Sequence, residues 1–218
     1  MPSTRYQKIN AHHYRHIWVV GDIHGEYQLL QSRLHQLSFF PEIDLLISVG
    51  DNIDRGPESL DVLRLLNQPW FISVKGNHEA MALEAFETGD GNMWLASGGD
   101  WFFDLNDSEQ QEAIDLLLKF HHLPHIIEIT NDNIKYAIAH ADYPGSEYLF
   151  GKEIAESELL WPVDRVQKSL NGELQQINGA DYFIFGHMMF DNIQTFANQI
   201  YIDTGSPNSG RLSFYKIK

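Results

Sequence analysis

Short apolar runs, each followed by a glycine, recur along the first third of the chain. Ile17-Trp18-Val19-Val20, Leu45-Leu46-Ile47-Ser48-Val49 and Phe71-Ile72-Ser73-Val74 precede Gly21, Gly50 and Gly76. Runs of this length, rich in β-branched and aromatic side chains, predict buried parallel strands. Between them, Leu29, Leu30, Leu34 and Leu37 recur at helical spacing over residues 26–37, and Leu60, Leu63 and Leu66 follow Pro57. Both stretches predict crossover helices. A third helix is expected over residues 79–86, and a fourth over 108–122, with Ser108 as N-cap and Gln111 in capping-box position. Residues 126–130 and 134–139 flank Asn131-Asp132-Asn133, which predicts a hairpin opening a second sheet. Residues 141–179 have weak periodicity, as expected of a lid or substrate loop. The stretch 182–217 reads as strands with turns near Asn198 and Gly210, and residues 1–15 read as a polar lead-in.

The polar clusters that follow the apolar runs read GDIHG (21–25), GDNIDRG (50–56) and GNHE (76–79). Parallel strands deliver their carboxyl-end loops to one edge of a sheet, where ligands bind. The clusters should therefore bring together Asp22, His24, Asp51, Asp54, Arg55, Asn77 and His78. Oxygen and imidazole donors with a single guanidinium describe a dinuclear metal site with a phosphate clamp. Two divalent ions roughly 3.5 to 4 Å apart can hold a hydroxide and share the charge of an attacked phosphoryl group. Mixed carboxylate and imidazole donors suit Mn, Fe or Zn better than Ca or Mg. His140 and His187 also end apolar runs, in Ala139-His140-Ala141 and Gly186-His187-Met188, and read as further ligands. His12, His13 and His16 in the lead-in, and His35, His121, His122 and His125, read as ordinary surface or packing histidines.

Composition narrows the reading. At 218 residues, with 43% hydrophobic and 21% charged side chains, the chain fits one soluble domain. The formal net charge of −15 argues against nucleic-acid binding, which depends on Lys and Arg. An anionic substrate would then rely on the metal ions and Arg55 to reverse the local field. The lack of cysteine suits a reducing compartment. No stretch has the apolar content of a signal peptide or a membrane helix, so a cytoplasmic protein is expected.

GDIHG, GDNIDRG and GNHE, in this order, resemble the three signatures of the PPP-family phosphoprotein phosphatases, within the calcineurin-like metallophosphoesterases. The resemblance runs from about Trp18 to the end of the chain. The size and the ending YIDTG (201–205) are most similar to the small bacterial and phage serine/threonine protein phosphatases, such as that of bacteriophage lambda. It implies a single metallophosphoesterase domain over 1–218: a four-layer α/β/β/α sandwich with two mixed sheets and the active site at strand carboxyl ends. It implies two divalent metal ions, most readily Mn, with Asp22, His24 and Asp51 on one and Asp51, Asn77, His140 and His187 on the other. His78 would be the general acid, oriented by Asp54, and Arg55 would bind phosphate oxygens. The implied activity is hydrolysis of phosphoserine and phosphothreonine in proteins, extending to phosphotyrosine; a monomer with neither a nucleic-acid nor a membrane partner is expected.

Two positions depart from that pattern. Relatives carry an Arg two residues after the Trp of the late loop, where this chain has Val163 after Trp161. Either Arg165, which matches a second Arg of those relatives, takes over the missing phosphate contact, or binding relies on Arg55 alone. Met188 stands where relatives have Thr, which removes a hydroxyl beside His187. The competing activity within the superfamily is symmetrical dinucleoside tetraphosphate hydrolysis or a related pyrophosphohydrolysis. Asp54-Arg55, completing DRG, favours the phosphatase. A non-catalytic binding module would be expected to have lost some of these polar groups.

Overall fold

The computed structural model describes residues 4–218, so residues 1–3 of the expected lead-in lie outside the described residues. The chain runs through β1 (Tyr6–Asn10), β2 (Ile17–Val20), α1 (Tyr27–Gln36), β3 (Leu45–Ser48), α2 (Ser59–Arg64), β4 (Phe71–Ser73) and α3 (Asn77–Thr88). Two helices follow, α4 (Asn92–Ala96) and α5 (Asp107–Leu117), and then the hairpin β5 (Ile126–Asn131) and β6 (Ile134–Ile138). After α6 (Ser157–Leu160) and α7 (Asp164–Leu170) come β7 (Tyr182–Phe185), β8 (Gln194–Phe196), β9 (Gln199–Tyr201), α8 (Ser206–Ser209) and β10 (Phe214–Lys216).

The three glycine-terminated runs are β2, β3 and β4. They lie parallel in a four-stranded sheet of order β10-β2-β3-β4, with β10 antiparallel at its edge. The second sheet is six-stranded, in the order β1-β5-β6-β7-β9-β8, and β6, β7 and β9 are parallel within it. Side-chain alternation explains how the sheets stack. Ile17, Val19, Leu45 and Ile47 face one way and share a buried cluster with Ile127, Ile129, Ile138, Ile184 and Ile200 of the second sheet. The opposite face of the first sheet, with Val20, Leu46 and Phe71, packs on Leu30, Leu34, Val62 and Leu65 of α1, α2 and the turn that follows. The outer face of the second sheet, with Ala137, Phe183 and Phe185, packs on Leu159, Leu160 and Val166 of α6 and α7. The result is the expected four-layer arrangement with two mixed sheets. Among the described residues, no helix is long and apolar enough to cross a membrane.

Three expectations are corrected. Part of the supposed solvated lead-in is β1, paired in parallel with β5 from Tyr6 opposite Ile126 to Asn10 opposite Thr130. Its apolar content is too low to signal a strand, yet an edge strand needs only Tyr6 and Ile9 to pack, one on each face. The capping box of α5 lies two residues earlier than expected. Asn106 Oδ1 accepts from Ser108 N and Glu109 N, and Glu109 returns a contact to Asn106 N. The third helix starts at Asn77, because the side chain of Glu79 folds back to accept from Gly76 N at 2.8 Å.

A partly buried ion pair fastens the late loop to the end of β4. Lys75 Nζ lies 3.1 Å from Glu156 Oε1, and His125 Nε2 donates to Glu156 Oε2 at 2.9 Å while its Nδ1 accepts from Arg5 N. Burial acts to raise the Glu156 carboxyl, but the hydrogen bond from His125 and the charge of Lys75 overcome it and hold the pKa at about 2. A depressed carboxyl stabilises the fold above its unfolded pKa, and that contribution is lost as pH falls toward the folded value. Glu156→Gln is therefore expected to be less stable than the parent at pH 7, with the deficit shrinking between about pH 4.5 and pH 2. Paired urea titrations across that range check this; a deficit independent of pH would contradict it.

Candidate metal centre

Loops from both sheets meet at one edge. Asp22 and His24 follow β2, Asp51 follows β3, and Asn77 and His78 form the first turn of α3 after β4. From the second sheet come His140 after β6 and His187 after β7, joined by the hydrogen bond from Gly186 N to the His140 carbonyl at 2.8 Å. Close approach requires Gly76, since a Cβ there would collide with the Asp51 carboxylate and backbone. The loops are also strained. Among the described residues, five of the nine non-glycine residues with positive φ are His24, Asp51, Asp54, Arg55 and His187. Such conformations persist where the surrounding structure over-determines them, as at ligand sites.

Asp51 is the hub. Its carboxylate accepts from His78 N at 3.0 Å and lies 3.4 Å from His140 Nε2, 3.8 Å from His24 Nε2 and 3.9 Å from His78 Nε2. Burial opposes its charge, but His140, His78 and His24 hold its pKa below the usual carboxylate range. Two sets of ligand atoms lie within 4.8 Å of one another, His24–Asp51–His78 and Asp51–His140–His187, and they share Asp51. Asp22 belongs to neither set. Its oxygens accept from His187 N at 3.1 and 3.2 Å.

The tautomers are decided by backbone carbonyls. His24 Nδ1 donates to Ile53 O and His140 Nδ1 to Val49 O, which leaves each Nε2 as a lone pair directed into the centre. Burial lowers both imidazoles, His24 to about 3, so they are neutral at pH 7. His187 is pushed down to about 4, again chiefly by burial. Asn77 Oδ1 then faces His140 Nε2 at 2.8 Å and His187 Nδ1 at 3.0 Å. At 2.8 Å the amide oxygen and the lone pair on His140 Nε2 repel unless a cation is bound to both. Beside them, burial and the charges of Asp203 and Asp51 raise Asp22 well above its usual pKa, and burial lifts Asp203 to about 6. This excess of buried negative charge and unshared electron pairs fits divalent metal ions.

The acid–base pair and the guanidinium sit against this centre. His78 Nδ1 donates to Asp54 Oδ2 at 2.6 Å. Burial alone would lower His78, but Asp51 and Asp54 outweigh it and raise its pKa. Arg55, exposed at the rim, donates from Nη1 to His24 Nε2 and from Nη2 to His78 Nε2, each at 3.0 Å. Arg165 does not join it, contrary to expectation. Its Nε donates to Asp142 at 2.8 Å, Nη2 to the carbonyls of Tyr143 and Gly145, and Nη1 to Gln175. It is 8% exposed, and these contacts commit its fork to holding the loop after His140. Among the described residues, the amino-terminal histidines enter no metal-competent set.

Two residues of the site went unassigned in the sequence. Glu79, fully buried, accepts from the amides of Asp51, Asn52 and Gly76 at 2.7 to 2.8 Å, and so clamps the second loop to the third. Burial, reinforced by Asp51, pushes its pKa up to about 7. Asp203 follows β9 just as Asp22 and Asp51 follow their strands, and the apolar run before it carried the same signal.

The sequence profile of the calcineurin-like phosphoesterases matches residues 15–190. Over 218 residues, covering all of both chains, the protein is 99% identical to serine/threonine-protein phosphatase 2 of Escherichia coli (strain K12). It is 61% identical, again over both full lengths, to serine/threonine-protein phosphatase 2 of Salmonella typhimurium. A crystal structure described as a candidate diadenosine tetraphosphatase superposes with a TM-score of 0.73 at 23% identity, covering 98% of this chain and 94% of the other, a likeness of fold.

Replacing Glu79 with Gln puts an amide N–H against backbone donors. The expected result is a loss of roughly 10- to 100-fold in Mn affinity with the circular dichroism spectrum retained, measured by calorimetric titration. For Arg165→Met the expectation is a stability loss of about 3 to 5 kcal/mol, from leaving Asp142 buried without its partner. The same variant should keep KM for a phosphomonoester within about twofold, since a fork occupied by four protein acceptors is not available to substrate. A large KM increase in a stable Arg165→Met protein would restore the clamp role.

Proposed function

Because the chain belongs to the calcineurin-like phosphoesterase family, we propose that it removes phosphate from phosphoserine and phosphothreonine in proteins, with phosphotyrosine within reach of the same site. The observation that carries this reading is the sharing of Asp51 between two ligand sets, with Arg55 donating to His24 and His78 of the first and Asp54 holding His78. His24, Asp51 and Asp22 would hold one divalent ion, and Asp51, Asn77, His140 and His187 the other, with manganese the first choice for this donor set. Such ions, when bound, neutralise phosphoryl charge and activate water.

The protein groups divide the remaining work. Arg55 presents two parallel N–H groups suited to two phosphoryl oxygens. To donate a proton to the leaving oxygen, His78 must carry that proton on Nε2, the atom that accepts from Arg55 in this structure. Transfer of Arg55 to a substrate phosphate would therefore free Nε2, while Asp54 keeps Nδ1–H in place. The general acid matters most for a serine alkoxide, a poor leaving group, and little for a nitrophenolate.

The electrostatics beside Arg55 favour a phosphoprotein over a dinucleoside tetraphosphate. A cleft of about 450 Å³ that includes Arg55 is also lined by Glu58, Asp61, Asp100, Asp104 and Glu109, and by Arg64, whose charge is taken up by Asp61 and Glu112. A peptide flank passes through such a field at little cost, whereas a chain of further phosphates is repelled by it. The net charge of −15 likewise supports a protein over a nucleic-acid partner. A monomer in a reducing cytoplasm completes the proposal.

The test is a comparison of phosphoserine peptide, p-nitrophenyl phosphate and diadenosine tetraphosphate after reconstitution with Mn. Peptide hydrolysis is expected, and His78→Asn should lower it by about 100- to 10,000-fold, far more than it lowers p-nitrophenyl phosphate hydrolysis. Turnover of the tetraphosphate without turnover of the peptide would overturn the reading.

A further inference from the structure

The rings of Trp94 and Trp101 pack in a buried cluster with Phe102, Met81 and Leu83. Their polar ends do something else. Trp94 Nε1 lies 2.9 Å from Asp54 Oδ1 and 3.1 Å from Oδ2, and Trp101 Nε1 lies 2.8 Å from Oδ1. We propose that these two indoles are positioning residues for proton delivery, holding the Asp54 carboxylate in the orientation that presents Oδ2 to His78. The proposal rests on the assignment of His78 as general acid.

The geometry is over-determined in the way that role requires. A carboxylate can turn about its Cβ–Cγ bond, and Asp54 is prevented from doing so by donors from three directions. Oδ1 takes both indole N–H groups, and Oδ2 takes Trp94 and His78 Nδ1. Asp54 is fully buried, and among the described residues its sole ion-pair partner is His78. Burial pushes its pKa up, and the hydrogen bonds from His78, Trp101 and Trp94 oppose that shift. Were Asp54 to take a proton, His78 Nδ1–H would face a neutral, weaker acceptor.

The choice of neutral donors has a physical reason. An Arg or Lys at either indole position would also stabilise the carboxylate, but its charge would cancel the field that Asp54 exerts on the imidazole and lower its proton affinity. Indole N–H groups orient the anion without adding a cation. Their own placement is rigid. The two rings meet edge to face at 6.2 Å, and Gly99 packs so closely on Trp94 that a Cβ would lie 2.5 Å from its ring. The same short segment holds the guanidinium residue, since Arg55 N donates to Gly98 O at 3.1 Å. Residues 94–101 thus grip both members of the Asp54-Arg55 pair.

In the step concerned, the His78 Nε2 proton passes to the serine oxygen as the P–O bond breaks. The oxygen of water bonds to phosphorus, its proton goes to solvent, and solvent later returns one to His78. Misorientation of Asp54 should affect that transfer and leave substrate binding alone. The measurement is kcat and KM for Trp94→Phe and Trp101→Phe on phosphoserine peptide and on p-nitrophenyl phosphate, with Mn content and Tm recorded. Each variant is expected to lower kcat on the peptide by about tenfold, the effect of one hydrogen bond to a charged group. The loss on the nitrophenyl ester should be several-fold smaller, with peptide KM within about twofold of the parent value. In an Asp54→Asn background, Trp101→Phe should add no further loss, because the two act as one unit.

Equal losses on both substrates, or an undiminished effect of Trp101→Phe in the Asp54→Asn background, would show the indoles to be packing groups and overturn the proposal. If a Phe variant fails to fold, benzothienylalanine at the same position keeps the ring shape without the N–H and is read by the same criteria. A parent enzyme that hydrolyses no phosphoserine peptide would refute the functional reading and this proposal with it. The other outcomes touch the indoles alone.

Discussion

A buried carboxylate stays charged only when other groups share its charge, and Asp51 is where that requirement organises the molecule. It is 3% exposed, with the imidazoles of His24, His78 and His140 within 4 Å. In a low-dielectric interior, an unpartnered anion would take up a proton or pull the site apart. Asp22 and Asp203 deepen the demand, because burial and the charge of Asp51 raise the proton affinity of both. Neutral imidazoles with their Nε2 lone pairs turned inward add electron density without adding positive charge. Divalent metal ions relieve both conditions at once, which is why the donor set reads as a metal centre and not as a salt-bridge network.

The rest of the fold keeps that charge concentration in place. The apolar layer between the sheets, with Ile17, Val19, Ile47, Ile138 and Ile184 all fully buried, fixes the strands whose carboxyl ends carry the ligands. Glu79 then ties the Asp51 loop to α3 through three backbone amides. Left-handed backbone at His24, Asp51, Asp54, Arg55 and His187 costs energy at each residue, and the layered core offsets it. Rigidity here follows from packing at a distance, with polar contacts setting only the last ångström.

The two arginines show how burial divides chemically identical groups. Arg165 lies inside the late loop with acceptors for Nε, Nη1 and Nη2, so its charge balances Asp142 and holds backbone carbonyls. Arg55 stands at the rim, its guanidinium bound among the described residues only to imidazole lone pairs, and an arriving phosphate offers it stronger acceptors. A chain of net charge −15 can thus still receive an anion, provided that the approach is confined to this guanidinium and the ions it faces.

The periodicity of apolar residues and the glycine-closed clusters by themselves determined much of this protein. Strands β2, β3 and β4, helix α1, the hairpin of β5 and β6, and the meeting of Asp22, His24, Asp51, Asn77, His78, His140 and His187 at one edge were legible, because local propensity and a sheet's polarity dictate them. The pairing of β1 was not, since an edge strand needs few apolar residues. Neither was the division between Arg55 and Arg165, because spacing along the chain carries no information about which acceptors a long side chain meets. Nor were the roles of Glu79, Asp203, Trp94 and Trp101. Only tertiary structure decided where their polar atoms point, since side-chain direction depends on contacts made across elements far apart in the chain.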